Sequence, residues 1–237
     1  VSDLNTILSQ AITIQEPQQS AAGQLFMLHH GVGSDAQAMV FVGEHLARHF
    51  PQAHVVSIQA PHSCDLGRGA QWFSVQGVTE DNRGERVNEQ MPLFLATVAA
   101  WQNKTGIGAG ATALVGFSQG GIMSLESTQQ QHLVAARVVA LSARFVALPH
   151  VPPVGTTLHM IHGKKDAVIH YGFCVKAAEH LVEDGADLTA DVLPDLSHEI
   201  TEEVLNLMTQ RLKEHIPAEV WRQAHAQAQS MNAELKS

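Results

Sequence analysis

Ala111-Thr112-Ala113-Leu114-Val115-Gly116-Phe117-Ser118-Gln119-Gly120-Gly121-Ile122-Met123-Ser124-Leu125-Glu126 is the most informative run of residues in the chain. It begins as an apolar segment of strand length and ends in a helical pattern. Between the two stands Gly-x-Ser-x-Gly. A strand that turns sharply into a helix through this motif holds its serine in a strained backbone geometry, with the hydroxyl pushed out past the strand end. Glycines flank the serine because a side chain on either would strike the neighbouring strand or helix. The rival reading is a Gly-rich strand-to-helix turn with a bystander serine.

On both sides of this turn, strand and helix patterns alternate. Residues 6–15 read as an edge strand through Ile7, Ile12 and Ile14, and residues 24–29 as a buried strand. Gly31-Val32-Gly33-Ser34 breaks that strand, and Asp35 caps a helix over 35–49 that ends before Pro51. A strand over 54–58 runs into a loop, 59–80, rich in Gly, Ser, Pro and His, and loops that long tend to line a site. Val87, Met91, Phe94, Val98 and Trp101 recur at helical spacing over 82–104 and form a core stripe. Beyond the elbow strand (112–117) and its helix (119–130) come strands at 137–141, 157–161 and 188–193. Helices at 173–183 and 199–213 alternate with them, and Pro217 opens a last helix over 218–235. The pattern predicts an α/β fold with one mostly parallel central sheet flanked by helices on both faces. The chain, 1–237, reads as one domain with no linker, no repeat and no room for a large cap domain. Its last helix, with Val220 and Trp221, is expected to dock on that domain, and it could also serve as a homodimer contact.

Composition narrows the function. The 237 residues are 45% hydrophobic and 16% charged, with a formal net charge of -9. An acidic chain with no Lys/Arg cluster is a poor partner for nucleic acid or an anionic membrane surface. No apolar run approaches bilayer length, so no stable membrane insertion is expected. The first residues show no basic start followed by a long apolar stretch, and no signal peptide is expected. Cys64 and Cys174 are far apart and fit ordinary thiols in a reducing cytoplasm. The 15 histidines are scattered. His45 and His49 are spaced to share a helix face but lack the Glu of a His-Glu-x-x-His site, so a solvated face is expected and no metal.

In a parallel sheet the site lies beyond the carboxyl ends of the strands. Ser118, Asp166 and His198 each fall just past such an end, in the order Ser, Asp, His. A lone serine hydroxyl is a poor nucleophile; His198 would take and return its proton, and Asp166 would fix the imidazole tautomer. Asp187, Asp191 and Asp195 compete for the role of acid, and His162 and His170 for the role of base. An oxyanion needs two backbone N–H donors. Gln119, at a helix N-terminus, supplies one, and Val32 in the loop His30-Gly31-Val32-Gly33 fits the other. That loop lacks the third glycine and the Gly-Lys-Ser/Thr of phosphate loops, and the glycines at 106, 108 and 110 precede a strand, not a helix.

Together these motifs resemble the carboxylesterase family of the α/β-hydrolase superfamily. They are Leu28-His29-His30-Gly31-Val32-Gly33, Gln71-Trp72-Phe73, Gly116-Phe117-Ser118-Gln119-Gly120-Gly121, His162-Gly163-x-x-Asp166 and Ser197-His198-Glu199-Ile200. That family includes acyl-protein thioesterases, lysophospholipase-like enzymes and small cytoplasmic bacterial esterases, and the last are the nearest in pattern. The resemblance implies a cofactor-free serine esterase acting on small or medium acyl esters or thioesters. It makes Ser118, Asp166 and His198 the triad and Val32 and Gln119 the oxyanion donors. Trp72 and Phe73 would line the acyl site; Met123 and Phe173 are further candidates for an apolar groove, which would suit a thioesterase or lysophospholipase. The thioesterase branch usually reads Trp-Phe-Asp, where this chain has Ser74.

Overall fold

The computed structural model describes residues 3–17, 23–218, 220, 222–225 and 227. In chain order the elements are α1 (Leu4–Gln10), β1 (Ile12–Gln15), β2 (Gln24–His29), α2 (Val40–His49), β3 (Ala53–Ile58), β4 (His62–Ser63), β5 (Ala70–Gln71) and α3 (Glu80–Thr105). They continue with β6 (Thr112–Phe117), α4 (Gln119–Glu126), β7 (Arg137–Leu141), β8 (Thr157–Gly163), α5 (Gly172–Glu183), β9 (Leu188–Leu193) and α6 (Glu202–Glu214). The main sheet runs β1-β3-β2-β6-β7-β8-β9. Every neighbouring pair in it is parallel except the edge pair β1/β3.

The apolar runs of the strands are continuous because both faces are covered. Leu25 and Met27 of β2, Leu114 of β6 and Val138 and Ala140 of β7 join one core with α1, α3, α4 and α5 residues. Their neighbours Phe26, Leu28, Ala113, Val115, Val139 and Leu141 join a second core with α2 and α6 residues. Side chains alternate across a strand, so a strand buried on both faces must be apolar at every position. Among the described residues no inserted domain interrupts the sheet: residues 59–79 hold only the β4/β5 hairpin.

Two expectations need correction. Residues 6–10 are not strand: Asp3 caps a helix by accepting the Thr6 N–H at 2.8 Å, and Ile7 of that helix is buried in the core. Only Ile12–Gln15 form the edge strand. His45 does not sit on a solvated face; it is buried and its Nε2 lies 2.9 Å from Thr209 Oγ1 of α6. Of the last helix, Ala218, Val220, 222–225 and Gln227 are helical, and the remainder to 235 lies outside the described residues.

Candidate active site

Ser118 joins β6 to α4 at φ 51°, ψ -117°. This is the left-handed region that non-glycine residues seldom enter. Hydrogen bonds hold it there: its N–H donates to Leu141 O and its carbonyl accepts from Ile122 N–H, both at 3.0 Å. A Cβ on Gly116 would lie 2.5 Å from Gly120 O and from Gly121 backbone, and one on Gly120 would overlap the His29 carbonyl. The glycines therefore let α4 settle onto β6 and β2.

His198, past β9, places Nε2 3.0 Å from Ser118 Oγ and Nδ1 2.7 Å from Asp166 Oδ2. Its ring packs against Phe117, with centroids 4.9 Å apart. Asp166, past β8, is wholly buried at its side chain. Its Oδ1 accepts the N–H groups of Val168 and Ile169, each at 2.8 Å. Burial alone would raise its pKa, but the His198, Ile169 and Val168 hydrogen bonds outweigh it and hold the carboxyl below its ordinary value. A carboxylate at that distance favours the imidazole proton on Nδ1, which would leave the Nε2 lone pair facing the serine hydroxyl.

The competing acids are engaged elsewhere. Asp195 pairs with Lys165 at 2.7 Å on the exposed surface. Asp191 is held by Arg211 at 2.6 and 2.9 Å. Asp187 accepts from Thr157 at 2.6 Å and pairs with His215 at 2.8 Å, at the end of the sheet where β8 begins. His170 accepts the Gly172 N–H, while His162 approaches Asp166 from behind.

Neither Val32 nor Gln119 gives its backbone N–H to an acceptor among the described residues. The loop that carries Val32 is braced from several sides. Gly33 N–H donates to Ala70 O at 2.9 Å and Ala70 N–H to Ser34 O at 2.7 Å. His30 donates from Nδ1 to Gly31 O at 2.7 Å and accepts the Ala60 N–H at Nε2, 3.1 Å away. Burial depresses the His30 pKa, and this keeps the ring neutral and able to do both. Trp72 Nε1–H donates to His30 O at 2.8 Å.

The Gln119 side chain completes the brace by accepting from Trp72 N–H at 2.7 Å and donating to Phe73 O at 2.8 Å. Sequence reasoning used only the backbone of Gln119 and gave His30 no role; a histidine before the Gly-x-Gly was the one signal for it. Trp72, Phe73 and Met123 were expected to line the acyl site. The structure instead packs their side chains into the core, at 2%, 1% and 0% exposure. Trp72 lies edge-on to Phe94 and His29 at 5.5 and 5.3 Å, and Phe173 is partly exposed under the Arg144 guanidinium. The 59–80 loop also lines a polar cleft of about 1030 Å³ with α1 and α3, and Ser118 is not among its walls. Among the described residues no group of three or more His, Cys, Asp or Glu is arranged to hold a metal ion.

The family model described as phospholipase/carboxylesterase matches residues 10–216. The chain belongs to that family. This phospholipase/carboxylesterase family member is a hydrolase. It is 44% identical over 204 residues to an Escherichia coli protein named esterase YpfH, covering 86% of this chain and 88% of that one. It is 26% identical over 160 residues to acyl-protein thioesterase 1 of Neurospora crassa, covering 62% and 65% of the two chains. The crystal structure of esterase PE8 superposes with a TM-score of 0.76 at 28% identity, covering 83% of this chain and 94% of that one.

Proposed function

We propose that this family member hydrolyses short- to medium-chain carboxylic esters through a covalent acyl-enzyme, as a single unit spanning 1–237. The observation that carries the reading is His198 standing between Ser118 Oγ and Asp166 Oδ2 at 3.0 and 2.7 Å. In the proposed cycle His198 Nε2 takes the Ser118 proton as Oγ attacks the ester carbonyl. Negative charge on the carbonyl oxygen is met by the N–H groups of Val32 and Gln119, the latter also at a helix N-terminus. His198 then protonates the departing alcohol, and a water activated by the same nitrogen releases the acid. Every step runs through side chains and backbone of this chain and the one attacking water. The short-chain preference draws on Trp72, Phe73 and Met123: their bulk is used in the core, so they do not wall a channel for a long acyl chain. The unpaired Cys64 and Cys174 suit a reducing compartment such as the cytoplasm. Among the described residues no helix is long and apolar enough to cross a membrane.

A second reading, action on long acyl chains or thioesters, draws on the likeness to the Neurospora thioesterase and on the exposed Leu66 and Val168 in the connections around this end of the sheet and Phe173 at the start of α5. Hydrolysis of p-nitrophenyl esters from acetate to palmitate separates the two. The first reading expects a peak at short chains, and a peak at palmitate overturns it. Ser118→Ala should keep its fold and lose at least about a thousandfold in kcat, because triad members act as a unit. Retained turnover in that variant would remove Ser118 as nucleophile.

A further inference from the structure

We propose that His162 is a positioning residue for the acid of the triad: as a neutral N–H donor at Nε2, it holds the 166–169 turn closed around the Asp166 carboxylate. The proposal rests on the triad reading above.

His162 lies near the end of β8, four residues before Asp166, and both side chains are sealed from solvent at 1% and 0% exposure. Its Nε2 donates to Ile169 O at 2.8 Å. The same nitrogen stands 3.2 Å from Asp166 Oδ2, the oxygen that receives His198. Ile169 N–H in turn donates to Asp166 Oδ1 at 2.8 Å. These contacts close a ring: His162 to Ile169, Ile169 to Asp166, and Asp166 back to His162. A carboxylate held this way can meet the His198 N–H in only one orientation.

The ring works only with a neutral His162. A proton at Nδ1 would set an imidazolium beside Asp166 and cancel the charge that His198 needs when it becomes cationic. Burial, the largest influence, pushes the His162 pKa down and keeps that proton off. The titratable groups facing this ring are Asp166 itself and His198 across it. His170 begins the α5 side, Glu199 follows His198 on its loop, and the Lys165–Asp195 pair lies outside on the surface.

His162→Leu removes the donor and nearly keeps the volume. Asp166 then loses a partner that shares its charge and directs more of that charge at His198. The acid limb of the kcat/KM profile should move to higher pH. On the plateau kcat should fall about tenfold to a hundredfold, the cost of misplacing a catalytic group, with KM little changed. His162→Gln, which restores a donor, should return the limb toward its wild-type position. An acid limb that stays in place in His162→Leu overturns the proposal even if kcat falls, since that is the mark of a merely structural role.

If His162→Leu does not fold, nitrogen-15 NMR of the unaltered protein gives the answer. A neutral ring with its proton on Nε2 at neutral pH is expected. A proton on Nδ1 alone, or a cation, overturns the proposal. Ser118→Ala, assayed alongside, separates the two claims. Activity that survives Ser118→Ala ends the triad reading, whereas a dead Ser118→Ala with an unmoved His162→Leu profile ends only this one.

Discussion

Asp166 is where one side chain's environment can be turned into a rate. The hydrogen bonds it accepts outweigh its burial, so it is a carboxylate throughout the neutral range. Asp166→Asn would keep the shape but offer His198 an N–H or a weaker acceptor, favouring the wrong tautomer. We expect kcat to fall by about 10³–10⁴-fold with the fold intact, as loss of the orienting acid does in serine hydrolases that use a triad. Fluorophosphonate labelling should slow in parallel. Labelling at the wild-type rate would mean that Asp166 does not orient His198. The positions of these three residues were legible because each follows a recognisable strand end. The His30 and Gln119 braces were not. Their partners, Ala60, Trp72 and Phe73, lie 30, 47 and 46 residues away in sequence. The histidine before the Gly-x-Gly marks the place of one brace, but nothing local signals contacts that exist only once the 59–80 loop has folded back.

The turn from β6 into α4 is the element on which the site depends, and its glycines predict unequal tolerance. Gly120→Ala would drive a methyl into the carbonyls of His29 and His30, and so into the loop that carries Val32. It should cost about 1–3 kcal/mol of stability by overpacking, and proportionately more in activity. Gly110→Ala, with nothing within 4 Å of the added methyl, should be close to neutral. Urea unfolding and ester turnover on both variants check this, and equal behaviour would show that close packing at the elbow is not the constraint. The strand and helix alternation that placed this turn was readable because two-sided burial writes long apolar runs. The helix over Leu4–Gln10 was misread because Ile7, Ile12 and Ile14 suggested a single strand. The contrary signal was present in Asp3 and in the three- and four-residue spacing from Leu4 to Ile7 and Leu8, which is helical. Trp72 and Met123 failed for another reason: an apolar residue beside a reactive serine reads the same whether it faces substrate or core.

The molecule as a whole stores histidine in its interior, and that sets how it should respond to acid. His29 and His159 are both pushed down to about 3, in each case chiefly by burial. His54 is lowered for the same first reason, and among the described residues neither His54 Nε2 nor His159 Nε2 has a hydrogen-bond partner. Above the ordinary imidazole range both the folded and unfolded chains leave these rings neutral, and stability does not depend on them. Between that range and about 3, only the unfolded chain takes up the protons of His29 and His159. Stability must therefore fall as pH falls through this window. Asp166 and Asp187, whose pKa values are lowered despite burial because of the hydrogen bonds they accept, add their own loss as the pH falls into and through the ordinary carboxylate range. The melting temperature should be nearly flat from pH 8 to 7 and should decline steadily from about pH 6 to 4. The slope near pH 5 should correspond to uptake of about two or more protons on unfolding. Ser118→Ala should follow the same curve, since the effect belongs to the core and not to the site. A melting temperature that holds constant to pH 4 would mean that the buried histidines find protons, or water, in the folded chain.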